Sequence, residues 1–546
     1  MKLSRTLAAV VFSLPLLAQS PAPTPAQPDW DTLGDAWWAH VQYLADDKLQ
    51  GRLPGTPGFE LATQYVVHQF QSIGLKPAGG DGSYLQPVKL LSYKLDTEKS
   101  SVELDSASTR TTLKVGPDIT LSPHITPGPT PTVDAPLIFI GYGLQLPPKH
   151  IDDLAGLDLH GKVVVLYNGA PARLQGPLRA YSRMPGQRWK YLKAAGAIGI
   201  IAINPPRPLP GPPPAPGAKP TPPPTPMARP TILFADPSLD TLAGLRVNAS
   251  MLPAAADKLL SLSGHSMAEL QPLIDAGKPL PTFDLHTTLH ATTVAIQNPP
   301  IDTHNIVGLL EGSDRKLRNQ YLVISAHLDH LGVGRPVHGD AIYNGAMDNA
   351  SGSASVIETA KLLAAGTRPK RSILFICLTG EEMGELGSAY FAAKPTVPKA
   401  QIVADLNMDM YLPLFPLRYL EVQGLAESTL GNDARAIGQL NDVEVQFEKQ
   451  PEENRFIRSD QVNFVAQNIP ALAFKFGWTP DSPEMKTFND WVKTRYHQPS
   501  DDLDQPVDKA AAAQFDHYLA QLATRVANAP TRPTWYPESS FAHQAE

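Results

Sequence analysis

Two textures of apolar and polar positions divide the chain. Between Asp31 and Leu75, apolar residues recur at helical spacing in WWAHVQYLADD and in FELATQYVVHQFQSIGL, and the turn-forming GRLPGTPG separates the two. Gly74, with Lys76 and Pro77 just beyond it, is the expected stop of the second helix. From about Thr109 to Leu285 the pattern changes to short β-rich runs such as APLIFIGYG and GKVVVLYNG, broken by turns. One helix is predicted there, QRWKYLKAAGA, leading into the apolar strand IGIIAIN. From His304 onward, HNIVGLLEG, YLVISAHLD, RSILFICL, QIVADLNMDM and ALAFKF read as strands. RSILFICL shows no polar alternation, which predicts burial on both faces. SASVIETAKLLAAG has helical spacing, with Val356, Ile357, Ala360, Leu363 and Ala364 on one side and Gly366 as its stop. This alternation predicts an α/β domain with a mostly parallel central sheet flanked by helices. In such sheets ligands bind beyond the carboxyl ends of the strands.

Composition narrows the class. A chain of 546 residues implies two to four domains, and 42% apolar with 18% charged residues describes a folded globular protein. A net charge of -7 without a long basic run argues against nucleic-acid binding. The opening MKLSRTLAAVVFSLPLLAQS pairs a positive head with a short apolar stretch and small residues. It predicts a signal peptide over residues 1–20 and export to the periplasm or beyond. That stretch is too short for a membrane span and no later apolar run is long enough, so stable membrane insertion is not expected. Fourteen prolines among the residues from Pro205 to Pro230 predict an extended, exposed loop. With Cys377 as the single cysteine, a thiolate cluster is excluded, and any metal must be held by His, Asp and Glu.

Five polar clusters follow strand ends in order: SAHLDHLG with His327 and Asp329, GAMDNASG with Asp348, TGEEMG with Glu381 and Glu382, LNMDM with Asp409, and RYHQPSDD with Tyr496 and His497. Each alone is weak. A single histidine after a strand is more often a surface residue, and Asp348 alone reads as a helix cap. Two adjacent glutamates at the mouth of a buried strand are a different matter, because like charges there need a positive partner. Taken together, histidines and surplus carboxylates suit zinc or another borderline divalent ion, and the surplus points to two ions bridged by a carboxylate.

HLDHLG, GAMDNASG, GEEMGELGS, NMDM and YHQPSD resemble, in order, the successive signatures of metallopeptidase family 28, the co-catalytic dizinc exopeptidases. The resemblance runs from about His304 to Asp502. It implies that Asp348 bridges two Zn2+ ions, with His327 and Asp409 completing one site and Glu382 and His497 the other. Glu381 would be the general base, Asp329 would accept the other N–H of the His327 imidazole, and Tyr496 would donate to the tetrahedral oxyanion. A non-proline cis peptide is expected at Asp348–Asn349. Ser459 and Asp460 resemble a family motif near the pocket, but Gln461 stands where a histidine is usual, which leaves their role open.

The middle region resembles an inserted protease-associated domain. The expected division is therefore a signal peptide at 1–20, the first part of a peptidase domain at 21–108, the insert at 109–285 with its proline-rich loop at 205–230, and the main peptidase part at 286–546. The implied activity is hydrolysis of peptide or protein substrates, as an aminopeptidase. A carboxypeptidase of the same family, with Arg455 and Arg458 clamping a carboxylate, is the alternative, and a receptor-like homologue without metals or a one-metal cyclase are further rivals. Oligomeric state is not legible.

Overall fold

A computed structural model describes residues 28–107, 109–123, 132–174, 176–206, 230–539 and 541–542. The expected signal peptide and nearly all of the proline-rich loop fall outside these residues. Among the described residues one sheet holds eleven strands and a second holds eight.

At the centre of the larger sheet lie Ser372–Leu378, Tyr321–His327, Ile402–Asn407 and Ala471–Phe476, side by side in that order and all parallel. Val, Ile, Leu and Phe fill them, and every residue of Ser372–Leu378 is buried, as its unbroken apolar run predicts. Outside these four strands the neighbours Ile301–Leu310, Leu85–Leu95 and Tyr419–Gln423 join antiparallel. The α/β architecture is as expected, but the sheet is mixed, with parallel strands at its centre and a parallel pair, Tyr419–Gln423 with Glu444–Gln446, at one edge. Local hydrophobicity reports burial, and strand direction is set by the connections. The chain begins at Tyr321–His327, steps to one side for Ser372–Leu378, then crosses to the other for Ile402–Asn407. That reversal of strand order opens a crevice at the carboxyl ends.

Helices Trp30–Leu44, Pro57–Ile73, Ser351–Ala365 and Lys509–Asn528 pack over this sheet and on one another. Pro57–Ile73 begins on Thr56, which caps the Phe59 N–H, and stops at Gly74 in the left-handed region. The expected one-sided burial of Ser351–Ala365 is exceeded: its first ten residues are all buried. Trp30–Leu44 and Lys509–Asn528 cover the outer side, and the polar residues are satisfied inside. Ser351 Oγ donates to the Met347 carbonyl at 2.7 Å and Ser353 Oγ to the His327 carbonyl at 2.9 Å.

The second sheet draws its strands from Ser101–Ser106 to Thr282–Thr292 and has an apolar core of its own around Val163, Val165, Phe139 and Leu289. Residue 285 therefore falls inside a strand. Within this span Thr231–Phe234 leaves and pairs with Leu85–Leu95 at the edge of the larger sheet. The short helix Gly176–Tyr181 brings Tyr181 into a cluster with Phe456, Ile457 and Phe541, which pins the two halves together. Among the described residues no helix is long and apolar enough to cross a membrane. Phe375 is wholly buried at the centre of the larger sheet. Phe375→Ala is expected to lower stability by about 3–5 kcal/mol in chemical denaturation; a loss below about 1 kcal/mol would show that the strand is not packed as described.

Candidate metal centre

The crevice gathers the ends of the three central strands that flank the switch in strand order. His327 closes its strand with the imidazole fully buried. Its Nδ1 lies 3.1 Å from the Asp329 carbonyl. A carbonyl only accepts, so Nδ1 carries the proton and the lone pair of Nε2 faces outward. Nε2 stands 3.3 Å from Asp348 Oδ1 and 3.4 Å from Asp409 Oδ1. On the other side His497 Nε2 lies 3.3 Å from Asp348 Oδ2 and 3.2 Å from Glu382 Oε2. Asp348 thus offers one oxygen to each imidazole, the disposition a bridging carboxylate requires. All five residues singled out as ligands converge.

Asp329 corrects one expectation. Its carboxylate stays 4.0 Å from His327 Nδ1, and its backbone carbonyl takes that proton instead. The two carboxylate oxygens accept the Glu381 N–H at 3.1 Å and the Glu382 N–H at 3.3 Å. The tight turn after the strand puts the main chain closer to the ring than the side chain, which frees the carboxylate to fasten the adjacent glutamates. Asn349 and Asp501 act in the same manner. Asn349 accepts from the Met410 N–H at 3.3 Å and donates to the Met408 carbonyl at 2.8 Å, flanking Asp409. Asp501 accepts the N–H groups of Met347 and Asp348, each at 2.9 Å. The Asp348–Asn349 peptide is cis. Gly345 precedes this loop with φ at 63°, and a Cβ there would come within 2.1 Å of the Asp348 carbonyl oxygen.

Three residues without an assigned role in the sequence belong to this neighbourhood. His330 is wholly buried, with Nδ1 2.8 Å from Glu382 Oε1, yet neither ring nitrogen nor that oxygen has an aligned hydrogen bond among the described residues. Asp501 ties the Asp348 loop, as described. Arg52 is fully buried and donates to the carbonyls of Leu328, Leu44, Asn344 and Gly345. All three stand inside stretches already singled out, HLDHLG, YHQPSD and GRLPGTPG, so the signal was their membership of those motifs.

Charge decides what the site can hold. Burial pulls the His497 imidazole down, but its contacts with Asp348 and Glu382 outweigh that and push it up to about 10. Burial, with Asp409 and Glu382 adding to it and His327 opposing, drives the Glu381 carboxyl well above the usual range. Crowded carboxylates here call for positive charge. Nitrogen and carboxylate donors of His327, Asp348 and Asp409, and again of His330, Asp348 and Glu382, lie within 4.8 Å of one another in each set. A thiolate-free donor set of this kind, with orphaned buried atoms on His330 and Glu382, fits zinc. Glu381, Tyr496 and His497 line a cavity of about 580 Å³ over the centre, and Asn168, Arg183 and Met184 of the second-sheet half form its far wall. Tyr496 stacks on His497 at 3.9 Å between ring centroids, and burial keeps its hydroxyl protonated. Gln461 accepts from Asn407 at 2.8 Å and braces the Arg455 and Phe456 carbonyls, so it serves the scaffold.

This geometry defines a metal-binding α/β protein with its site at a strand-order switch. Residues 305–523 match the model of Peptidase family M28. Over 302 residues the chain is 26% identical to leupeptin-inactivating enzyme 1 of Streptomyces exfoliatus, covering 54% of this chain and 64% of that protein. It is 31% identical to carboxypeptidase Q of Xenopus laevis over 123 residues, which is 22% of this chain and 24% of that one. Among solved structures it is similar to an aminopeptidase from Aneurinibacillus sp. strain AM-1, at a TM-score of 0.48 and 19% identity over 92% of this chain and 96% of that chain. The chain thus spans under two thirds of either sequence relative.

Arg52 yields a test of the scaffold. Burial lowers its guanidinium to about 10 while Asp329, Asp501 and Asp348 pull it back up, so it stays charged at neutral pH. Arg52→Met would leave four buried carbonyls without their donor. It is expected to cost about 3–5 kcal/mol in denaturation and to reduce zinc retained after dialysis, with Arg52→Lys restoring only part. Wild-type stability and zinc content in Arg52→Met would rule out the bracing role.

Proposed function

We infer that the chain is an exported dizinc exopeptidase, an aminopeptidase that releases N-terminal residues from peptides. The observation that carries this reading is Asp348 set between His327 and His497 through different oxygens, with Asp409 and Glu382 completing the two ends. In this reading His327, Asp348 and Asp409 hold one zinc ion, and His497, Asp348 and Glu382 the other. When bound, the ions would lower the pKa of the attacking water and polarise the scissile carbonyl.

The chain's own groups do the rest. Glu381 faces the cavity beside the ligands, held at its N–H by Asp329. Its carboxylate takes the proton of the attacking water and delivers it to the departing amine. Tyr496, whose hydroxyl keeps its proton, donates to the oxygen that gains charge as the carbonyl carbon becomes tetrahedral. The second sheet is read as a protease-associated insert that forms the far wall of the cavity. Convergence of all five ligand residues argues against a receptor-like protein without metals, and both His327 and Asp409 would be superfluous in a one-metal cyclase. The short match to carboxypeptidase Q keeps a carboxypeptidase as the second reading.

The test combines metal analysis with defined substrates. The protein as purified is expected to carry about two zinc ions per chain, to lose hydrolysis of aminoacyl reporters with a chelator, and to regain it with zinc. Glu381→Gln should keep the metal and lose about 10²–10⁴-fold in kcat. Blocking a peptide's N-terminus should abolish cleavage, whereas amidating its C-terminus should not. Unchanged turnover in Glu381→Gln, or cleavage that needs only a free C-terminus, would overturn the corresponding part of this reading.

A further inference from the structure

Beside the metal centre a second cavity of about 250 Å³ shares Asp409, Met410 and Tyr496 with the first. Leu412, Phe488 and Val492 form the apolar part of its wall, and Arg455, Lys475 and Arg458 stand in it with the carboxylates of Asp409 and Glu453. Lys475 sits in the buried strand Ala471–Phe476 and is only 6% exposed. Its Nζ donates to the carbonyls of Asp409 at 3.0 Å and Met410 at 2.9 Å, which leaves one of the three ammonium protons unassigned. Arg455 donates through Nη2 to the neutral Gln450 side chain at 2.7 Å, while its Nη1 is buried with no hydrogen-bond partner among the described residues. Its guanidinium lies 5.6 Å from the centre of the Phe488 ring.

Neither cation makes an ion pair among the described residues, and burial holds the Lys475 ammonium below its usual range, with Asp409 opposing and Arg455 adding to the shift. The nearby carboxylates are otherwise engaged. Glu421 accepts from the Lys449 N–H and from Gln423, and Glu448 accepts from the main-chain N–H of Arg455. At the rim Glu453 pairs with Arg458 at 3.4 Å. Arg455 Nη1 has no partner among the described residues, and the cavity's own carboxylates, Asp409 and Glu453, face His327 and Arg458, so an entering anion is what would satisfy it.

We propose that this cavity is a carboxylate subsite of the proposed hydrolase, in which Arg455 and Lys475 receive a substrate carboxylate next to the reacting bond. The carboxylate belongs either to an acidic side chain at the cleaved residue or to a free C-terminus, and the same two groups recognise both. Arg455, with Nη1 unengaged, supplies the directional contact, and Lys475 adds charge while holding the Asp409 loop. The apolar part of the wall takes the methylene groups. A neutral amide of the same shape fills the cavity but leaves both cations unpaired, which is the basis of discrimination.

The inference rests on the hydrolase reading, so the experiment separates the two. Zinc-loaded full-length protein is assayed with glutamyl, glutaminyl and leucyl 4-nitroanilides, and with N-blocked dipeptides whose C-terminus is free or amidated. Glutamyl is expected to exceed glutaminyl in kcat/KM by about tenfold or more, chiefly through KM; if the carboxylate is terminal, the free N-blocked dipeptide is cleaved and its amide is not. In Arg455→Gln either preference should fall about fivefold or more. Binding of glutarate to wild type and Arg455→Gln gives a readout that needs no turnover, with weaker binding expected in the variant. Glutaminyl equal to or better than glutamyl together with no preference for a free C-terminus, or equal glutarate affinity in the two proteins, would overturn the subsite. Absence of hydrolysis with every reporter, while glutarate still distinguishes the variant, would remove the hydrolase reading and leave the subsite standing.

Discussion

Negative charge crowded into a buried space is the constraint on which the rest of the structure depends. Asp329, Asp348, Asp501 and Glu382 lie within reach of one another, and the first three are almost wholly buried. Such a cluster is unstable by itself. Burial, with the charge of Glu382 adding to it, raises the Asp329 carboxyl to about 6 despite the opposing pull of His327. Two devices offset the repulsion without any metal. Arg52 places a permanent positive charge beneath the cluster, and its hydrogen bonds go to carbonyls, so its charge is left to the field. Backbone N–H groups then supply local dipoles to the oxygens of Asp329 and Asp501. What stays uncompensated faces the crevice, where dications would complete the balance.

The same contacts set the geometry. The segments that carry the candidate ligands leave different strands and, for His497, the helix Pro483–Thr494, and elements separated in sequence have no covalent reason to keep their ends in register. Asp329 joins the His327 loop to the two glutamates, Asn349 joins the Asp348 loop to that of Asp409, and Asp501 joins the His497 segment to Asp348. Arg52 adds the N-terminal lead-in, which carries no proposed ligand of its own. Every loop is therefore fixed by a neighbour, and an error of one ångström in any ligand would have to break a buried hydrogen bond. The lead-in and the final helices belong to the site for this reason, although their chemistry is silent.

How much of this was legible depended on whether the information is local. RSILFICL announces a strand buried on both faces, and the strand is so. Three of the five clusters stand directly after the central strands, as expected, whereas GAMDNASG leads into the helix Ser351–Ala365 and RYHQPSDD follows the helix Pro483–Thr494, so the expected strand end before His497 is a helix end instead. Strand direction was less readable: the IVGLL half of Ile301–Leu310 has the apolar texture of the parallel strands, yet it runs antiparallel to Ser372–Leu378. Thr231–Phe234, inside the span of the second sheet, returns to the first by a pairing that no local pattern encodes. Asp329 shows the limit at the scale of one side chain. Its motif placed it beside His327, but which of its oxygens met the ring depended on a turn whose dihedrals the residue types leave open. Lys475 is the opposite case: a lysine in ALAFKF was visible as an anomaly in a buried strand, and only the fold showed what it faces.

The second sheet gives the site its shape. A crevice at the edge of an open sheet would accept a polypeptide running through it, because nothing obstructs either end. Here Tyr181 is locked against Phe456 and Phe541, and the segment that follows brings Arg183 and Met184 over the centre as a wall. The wall is built on a half with its own apolar core, so it does not collapse into the crevice when the cavity is empty. The cavity of about 580 Å³ is bounded on that side by Ala180, Arg183 and Met184. In the exopeptidase reading proposed above, this wall is the feature that would stand across a peptide running through the crevice.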